Sequence, residues 1–251
     1  MAAEKILVVD DETDLQYVIH QKFRRQIRNG QYEFHFAFNG LEALAKLIEV
    51  PDIGVILSDI NMPEMDGLTL LSKVRELKNP LLKTVICSAY GDMDNIRTAM
   101  NRGAFDFVTK PVDFNDLEIT LEKTIGELNI VREGLAYHDK LLSIEHDLMV
   151  AREIQRAIMP KPIPGLEWAY IDGSMEAARQ IGGDFYDYFM MDDHRLGFVI
   201  GDVSGKGIPA AIFMAVSRTL IRATGLKGMS PKDCMNYVNH LLCTESVNSM
   251  F

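Results

Sequence analysis

Basic residues are in deficit: 26 Lys and Arg stand against 36 Asp and Glu in 251 residues, a formal charge of −10. A nucleic-acid grip is built from clustered Lys and Arg that displace counterions, and no such stripe occurs, so nucleic acid is not an expected partner. Cysteine is scarce as well. Cys87, Cys234 and Cys243 are odd in number, widely spaced and without C-x-x-C pairing, so free thiols are expected rather than disulfides or a zinc site. Long apolar runs are missing: none approaches the roughly 20 residues of a transmembrane helix. The N-terminal run Ile6-Leu7-Val8-Val9 stops at two aspartates and is too short for a signal peptide. These absences point to a cytosolic protein that does not enter a membrane. What is present, 47% hydrophobic and 25% charged residues, is the balance of an ordinary globular chain. At roughly 150 residues per domain, the length allows one large domain or two smaller ones.

From Lys5 to about Leu121, short apolar runs alternate with amphipathic stretches. The runs are Ile6 to Val9, Glu33 to Ala37, Val55 to Ser58, Thr84 to Cys87 and Phe105 to Val108. Five strands separated by helices predict an α/β fold, a doubly wound parallel sheet whose functional groups lie at the carboxyl ends of the strands. Those ends carry Asp10 and Asp11, Asp59, Ser88-Ala89 and Thr109-Lys110-Pro111. Three converging carboxylates repel one another unless a cation joins them, and an all-oxygen set suits Mg²⁺. One carboxylate can then act as nucleophile toward a phosphoryl group, with Lys110 and the Ser88 hydroxyl meeting the charge on its oxygens.

These residues closely resemble the receiver domain of bacterial response regulators: Asp10-Asp11, Asp59-x-x-Met62-Pro63-x-x-Asp66-Gly67, Ser88-Ala89 and Lys110-Pro111 agree with it in order and spacing. The resemblance implies that Asp59 is the phosphoacceptor. It implies that Asp10, Asp11, Asp59 and the backbone carbonyl of Asn61 hold Mg²⁺, and that Ser88 and Phe107 move together on phosphorylation. Taken alone, Phe107 is the weakest of the set, since an aromatic in a strand is usually core. The receiver is placed at residues 1–122.

Residues 123–160 form the expected connector. No proline occurs between Asp113 and Pro160, and Leu121, Leu128, Leu135, Leu142 and Met149 recur every seven residues. That is a coiled-coil period, weakened by polar residues such as Thr124, His138 and Glu145 at the intermediate positions. Gly126 and Gly134 each cost about 1 kcal/mol against alanine, so a bend or break is expected there. A straight helix would run about 65 Å at roughly 1.5 Å per residue, which favours a parallel homodimer over a helix folded back on its own domains.

Residues 161–251 begin with the turn-rich Lys161-Pro162-Ile163-Pro164-Gly165. Strands are expected over Leu166 to Ile171, Gly183 to Met191 and Leu196 to Ile200, and a helix over Ile208 to Thr224. Asp184 and Asp202 sit in glycine-flanked turns at strand ends, where carboxylates on adjacent strands can bridge two cations that activate water. Asp187 is expected at a solvated strand position, and Tyr186 and Tyr188 on the sheet surface. The segments Ile181 to Asp187, Gly201 to Gly207, Ala151 to Pro160 and Ile208 to Ala211 resemble the SpoIIE/RsbU-like branch of the PPM serine/threonine phosphatases. That resemblance implies a β-sandwich flanked by helices and a pair of Mn²⁺ or Mg²⁺ ions. It makes Asp184, Asp202 and the Val203 carbonyl metal ligands and Arg179 a candidate for substrate phosphate. The remaining metal-binding aspartates of that family lie on strands further downstream than Phe251. The expectation is therefore the N-terminal part of a phosphatase domain, inactive as written.

Together the two resemblances imply a response regulator, phosphorylated on Asp59 by a histidine kinase, that controls a metal-dependent serine/threonine phosphatase acting on a phosphorylated anti-sigma-factor antagonist. The alternative is a non-enzymatic, phosphorylation-controlled adaptor or dimerisation switch.

Overall fold

The computed structural model describes residues 3–89, 91–163, 168, 170–177 and 180–245, and the chain divides into two compact units, Met1–His138 and Asp139–Phe251. In the first unit the elements run β1 (Glu4–Val9), α1 (Asp14–Lys22), α2 (Arg24–Arg28), β2 (Tyr32–Ala37), α3 (Gly40–Glu49), β3 (Ile53–Asp59), α4 (Gly67–Glu76), β4 (Lys83–Ala89), α5 (Met93–Asn101) and β5 (Asp106–Lys110). A long helix, α6 (Phe114–Ile158), follows.

All five strands pair in parallel in the order β2-β1-β3-β4-β5, so the expected doubly wound sheet forms. A parallel strand with both faces covered reads as an unbroken apolar run rather than an alternating one. β3 meets that description, with all seven of its residues buried. In β1 the side chains alternate between two cores. Ile6 and Val8 pack with Ile19, Phe23, Leu117, Leu121 and Leu128, while Leu7 and Val9 pack with Ala43, Leu70 and Val74 on the other face. Local signals start the helices that cover these faces. Asn39 accepts from the Glu42 N–H at 2.9 Å, and Glu42 reaches back to the Phe38 N–H at 2.9 Å, a reciprocal cap at the head of α3.

The leucine stripe on α6 splits in two. Leu117, Leu121 and Leu128 are buried in the first unit's core, whereas Leu135, Leu142 and Met149 are exposed. Past Leu128, Arg132 grips Glu4 of β1 through a two-pronged ion pair of 2.7 and 2.8 Å, so contacts to the sheet continue ten residues beyond the boundary read from sequence at 122. The helix is also unbroken at Gly126 and Gly134, where a bend was expected. Around Gly126 the reason is packing: fully burying a leucine is worth about 1.5–3 kcal/mol, and Leu121 and Leu128 flank the glycine, outweighing its roughly 1 kcal/mol cost.

In the second unit β6 (Phe185–Asp192) and β7 (Arg195–Gly201) form an antiparallel pair, followed by α7 (Ile208–Gly225) and α8 (Pro231–Glu245). The described residues give one two-stranded sheet, where part of a β-sandwich with three strands was expected. Of the strand expected over Leu166 to Ile171, Leu166, Glu167 and Ala169 lie outside the described residues, and Tyr170 and Ile171 are in no strand. Phe185, Val203, Ala210 and Met214 form a small core that Ile158 and Met159 join from the end of α6. Phe198 and Ile200 of β7 stay exposed, as does much of α7's apolar surface at Ile208, Ile212 and Val216. None of the described helices is long and apolar enough to cross a membrane. The three cysteines are free, as expected.

Candidate functional site

Because β1, β3, β4 and β5 run in one direction, their carboxyl ends share one edge of the sheet, and the strand order reverses between β1 and β3. Asp10 follows β1 directly, Asp59 is the last residue of β3, Ser88 lies next to the end of β4, and Lys110 ends β5. The sheet therefore collects the residues that the sequence picked out. One carboxylate oxygen from each of Asp10, Asp11 and Asp59 lies within 4.8 Å of the others; Asp10 and Asp59 are buried and Asp11 is exposed. Lys110 Nζ donates to both Asp10 Oδ2 and Asp59 Oδ2 at 2.8 Å. Burial works against its charge, but the hydrogen bonds to Asp10 and Asp59 outweigh that and hold its pKa above the ordinary lysine range.

Three carboxylates against one ammonium leave an excess of negative charge among hard oxygen donors. Such a set fits a divalent cation of the Mg²⁺ type. The Ser88 hydroxyl is buried and has no hydrogen-bond partner among the described residues, so this edge of the sheet carries a buried oxygen whose bonding is not met within them. Cys87, the neighbour of Ser88, is kept out of the chemistry: burial pushes its thiol up to about 12, with Lys110 pulling the other way.

The loop after β3 shows why its residues are what they are. Asp59 Oδ1 accepts from the Ile60 N–H at 2.7 Å, which fixes the carboxylate. A side chain on Gly67 would fall 2.0 Å from the Asp59 carbonyl oxygen, so only glycine lets α4 start this close to the site. Asp66 caps that helix by accepting from the Thr69 N–H at 2.6 Å, and Met62 and Met65 pack on the core below. Asn61 is exposed in this loop, two residues past Asp59. Phe107 is partly exposed on β5 rather than core, at 36%.

The second unit brings together the other expected pair. β6 and β7 pair Phe185 with Gly201, which sets Asp184 and Asp202 side by side at the end of the ladder. Both are exposed; a hydrogen bond to Asp202, reinforced by its charge, holds the Asp184 carboxyl above the usual range. A Cβ on Gly183 would meet the Val203 carbonyl oxygen at 2.9 Å, so that carbonyl lies against the same turn. Hard oxygens crowded in this way suit a divalent cation, though two carboxylates are fewer than a two-ion cluster needs. Arg179 lies outside the described residues.

Asp187 corrects the sequence reading. It is buried instead of solvated, paired with Arg222 at 2.7 Å and Arg218 at 3.0 Å from α7. Its neighbour Tyr188 is buried too, rather than on the surface, while Tyr186 donates to the Gly173 carbonyl at 2.5 Å. Gln155 is a further residue that the sequence did not flag. Its buried side-chain amide donates to the Gly182 carbonyl at 2.6 Å and accepts from the Gly182 N–H at 3.2 Å.

Residues 6–122 match the family described as response regulator receiver domain, over the span that carries the Asp10, Asp11, Asp59, Ser88 and Lys110 edge. Residues 6–122 are a response regulator receiver domain. Residues 192–251 match the family of stage II sporulation protein E (SpoIIE), a span that contains Asp202 and starts past Asp184. Among curated proteins, the regulatory protein AtoC of Escherichia coli is 33% identical over 143 residues, covering 56% of this chain and 29% of AtoC. The DNA-binding transcriptional regulator NtrC of Salmonella typhimurium is 36% identical over 122 residues, covering 48% of this chain and 24% of NtrC. Protein IcfG of Synechocystis is 39% identical over 94 residues, covering 38% of this chain and 15% of IcfG. The matches thus span between 15% and 29% of these relatives' lengths. Among solved structures, a response regulator receiver domain protein from Clostridium thermocellum covers 51% of this chain and 98% of its own, with 29% identity and a TM-score of 0.46.

Proposed function

We propose that this chain is a cytoplasmic two-component switch in which a sensor histidine kinase phosphorylates Asp59 and the receiver then controls a SpoIIE-type phosphatase output. The observation that carries the reading is the Lys110 bridge between Asp10 and Asp59, at a sheet edge that also holds a buried Ser88 hydroxyl without a partner among the described residues. The Asp59 carboxylate is the nucleophile, fixed by the Ile60 N–H. Once the phosphoryl group is attached, Lys110 exchanges one carboxylate for a phosphoryl oxygen and the Ser88 hydroxyl gains a partner. Asp10, Asp11, Asp59 and the Asn61 carbonyl would hold Mg²⁺, which would supply neutralisation of charge on the phosphoryl oxygens. Phe107, half-exposed at the sheet edge, turns inward as Ser88 moves.

In this reading the phosphatase output to which the second unit contributes acts on phosphoserine or phosphothreonine with Mn²⁺ or Mg²⁺, and Asp184 and Asp202 are fewer carboxylates than its two-ion site needs. Asp184, Asp202 and the Val203 carbonyl act as ligands and Arg179 meets the substrate phosphate. Its substrate is a phosphorylated anti-sigma-factor antagonist. Support comes from the SpoIIE match and from the crowded Asp184 and Asp202 carboxylates. The exposed Leu135, Leu142 and Met149 on α6 supply a short apolar seam at heptad spacing for a parallel homodimer.

Light scattering on the chain before and after treatment with a small phosphodonor and Mg²⁺ tests the switch. The mass-average should move toward the dimer in the unmutated chain and stay fixed in Asp59→Asn. No shift, or the same shift in the variant, contradicts the coupling.

A further inference from the structure

The turn that carries Asp184 has no regular secondary structure of its own, yet a metal ligand must be held within a fraction of an ångström of its working position. The backbone around Asp184 is therefore fixed by something else, and the fastening lies on α6. Near the end of this helix Gln155 is 6% exposed, and both halves of its amide engage one residue: Nε2 donates to the Gly182 carbonyl and Oε1 accepts from the Gly182 N–H. Gly182 stands two residues before Asp184. A side-chain amide that answers both backbone groups of one residue fixes the plane and position of that stretch of chain, as a neighbouring strand would. Next in line, Gly183 sits against the Val203 carbonyl oxygen and the Ala210 Cβ, where an added Cβ would meet them at 2.9 and 3.2 Å. Three residues after Gln155, Ile158 packs on the core made by Phe185, Val203, Ala210 and Met214, the residues just past Asp184 and Asp202 included. One turn of α6 thus holds the chain on both sides of Asp184, by a polar clasp before it and apolar packing after it.

We infer that Gln155 is a positioning residue: its amide clasp on Gly182 fixes the turn that presents Asp184 beside Asp202 to a divalent cation, and so makes the end of α6 a determinant of metal affinity. This inference rests on the reading of Asp184 and Asp202 as metal ligands. Gln155 does not touch the cation and acts through the backbone, as residues behind a metal's ligands do when they set its affinity, typically by 10–100-fold. Apolar packing alone would not have this effect, because it leaves the Gly182 N–H and carbonyl free to rotate the turn.

The test uses the 251-residue chain carrying Asp11→Asn and Asp59→Asn, which silences the receiver's cation site, and measures Mn²⁺ affinity by titration calorimetry. Gln155→Leu should weaken Mn²⁺ binding by roughly 10-fold or more. Ile158→Val, which trims the packing and keeps the clasp, should leave affinity within about twofold even where it lowers the unfolding temperature. That split separates positioning from general support. Equal Mn²⁺ affinity in Gln155→Leu and its parent, with binding lost in Asp184→Asn, overturns the inference and leaves the metal reading intact. Affinity that Asp184→Asn does not change overturns the metal reading, and the inference with it. Should Gln155→Leu fail to fold, the unmutated Gln155 decides the matter. Saturation of the same background chain with Mg²⁺ should shift the side-chain NH₂ resonances of Gln155, and unshifted resonances contradict the clasp's role.

Discussion

Asp184 and Asp187 stand three residues apart and serve opposite ends. Asp184 is exposed beside a second acid, while Asp187 is buried between two arginines. The difference lies in strand alternation: Phe185, Asp187 and Phe189 share the face of β6 that turns inward, so Asp187 enters the core and takes Arg218 and Arg222 with it. Both signals were legible. The period of two places Asp187 on the same face as two phenylalanines, and the two arginines fall at i and i+4 on α7, one helical face. An average preference for exposed aspartate hid them. Removing one member of a buried charge cluster leaves the others uncompensated. Asp187→Ala should therefore cost the second unit about 3 kcal/mol, seen as a lower urea midpoint, whereas a change within about 0.5 kcal/mol would show that the arginines are already solvated.

α6 was legible as an element and not as a set of partners. The absence of proline from Asp113 to Pro160 marks a helical stretch, the bend expected at Gly126 and Gly134 did not form, and a seven-residue leucine period does not say what each leucine touches. Leu121 and Leu128 meet β1, β3 and α1, and Leu135 meets solvent, although all three belong to one stripe. The decision was made by β1 and β3, which lay one apolar face under the first four turns of the helix and none further on. Leu128→Ala should destabilise the receiver by about 2–5 kcal/mol. Leu135→Ala, measured by the same urea unfolding of the monomer, should stay within about 0.5 kcal/mol. Equal losses would mean that the stripe works as one surface.

For the whole molecule, the receiver was nearly complete in the sequence, because a parallel sheet with both faces covered writes its strands as apolar runs and places its chemistry at their ends. Asp10, Asp11, Asp59, Ser88 and Lys110 could be gathered from that rule and the family resemblance, without knowing the strand order. The second unit was less legible. Its carboxylates lie in turns, and the group that fastens the Asp184 turn, Gln155, comes from a helix end that carries no periodic signal. Asp10, Asp11 and Asp59 at the sheet edge, and Asp184 beside Asp202, are alike in crowding their carboxyl groups together.

The receiver's chemistry is tested most directly at Asp59, by intact-mass spectrometry of the chain after incubation with a small phosphodonor and Mg²⁺. The account predicts a gain of one phosphoryl group that disappears in Asp59→Asn and when Mg²⁺ is chelated. No gain, or an equal gain in Asp59→Asn, would contradict it.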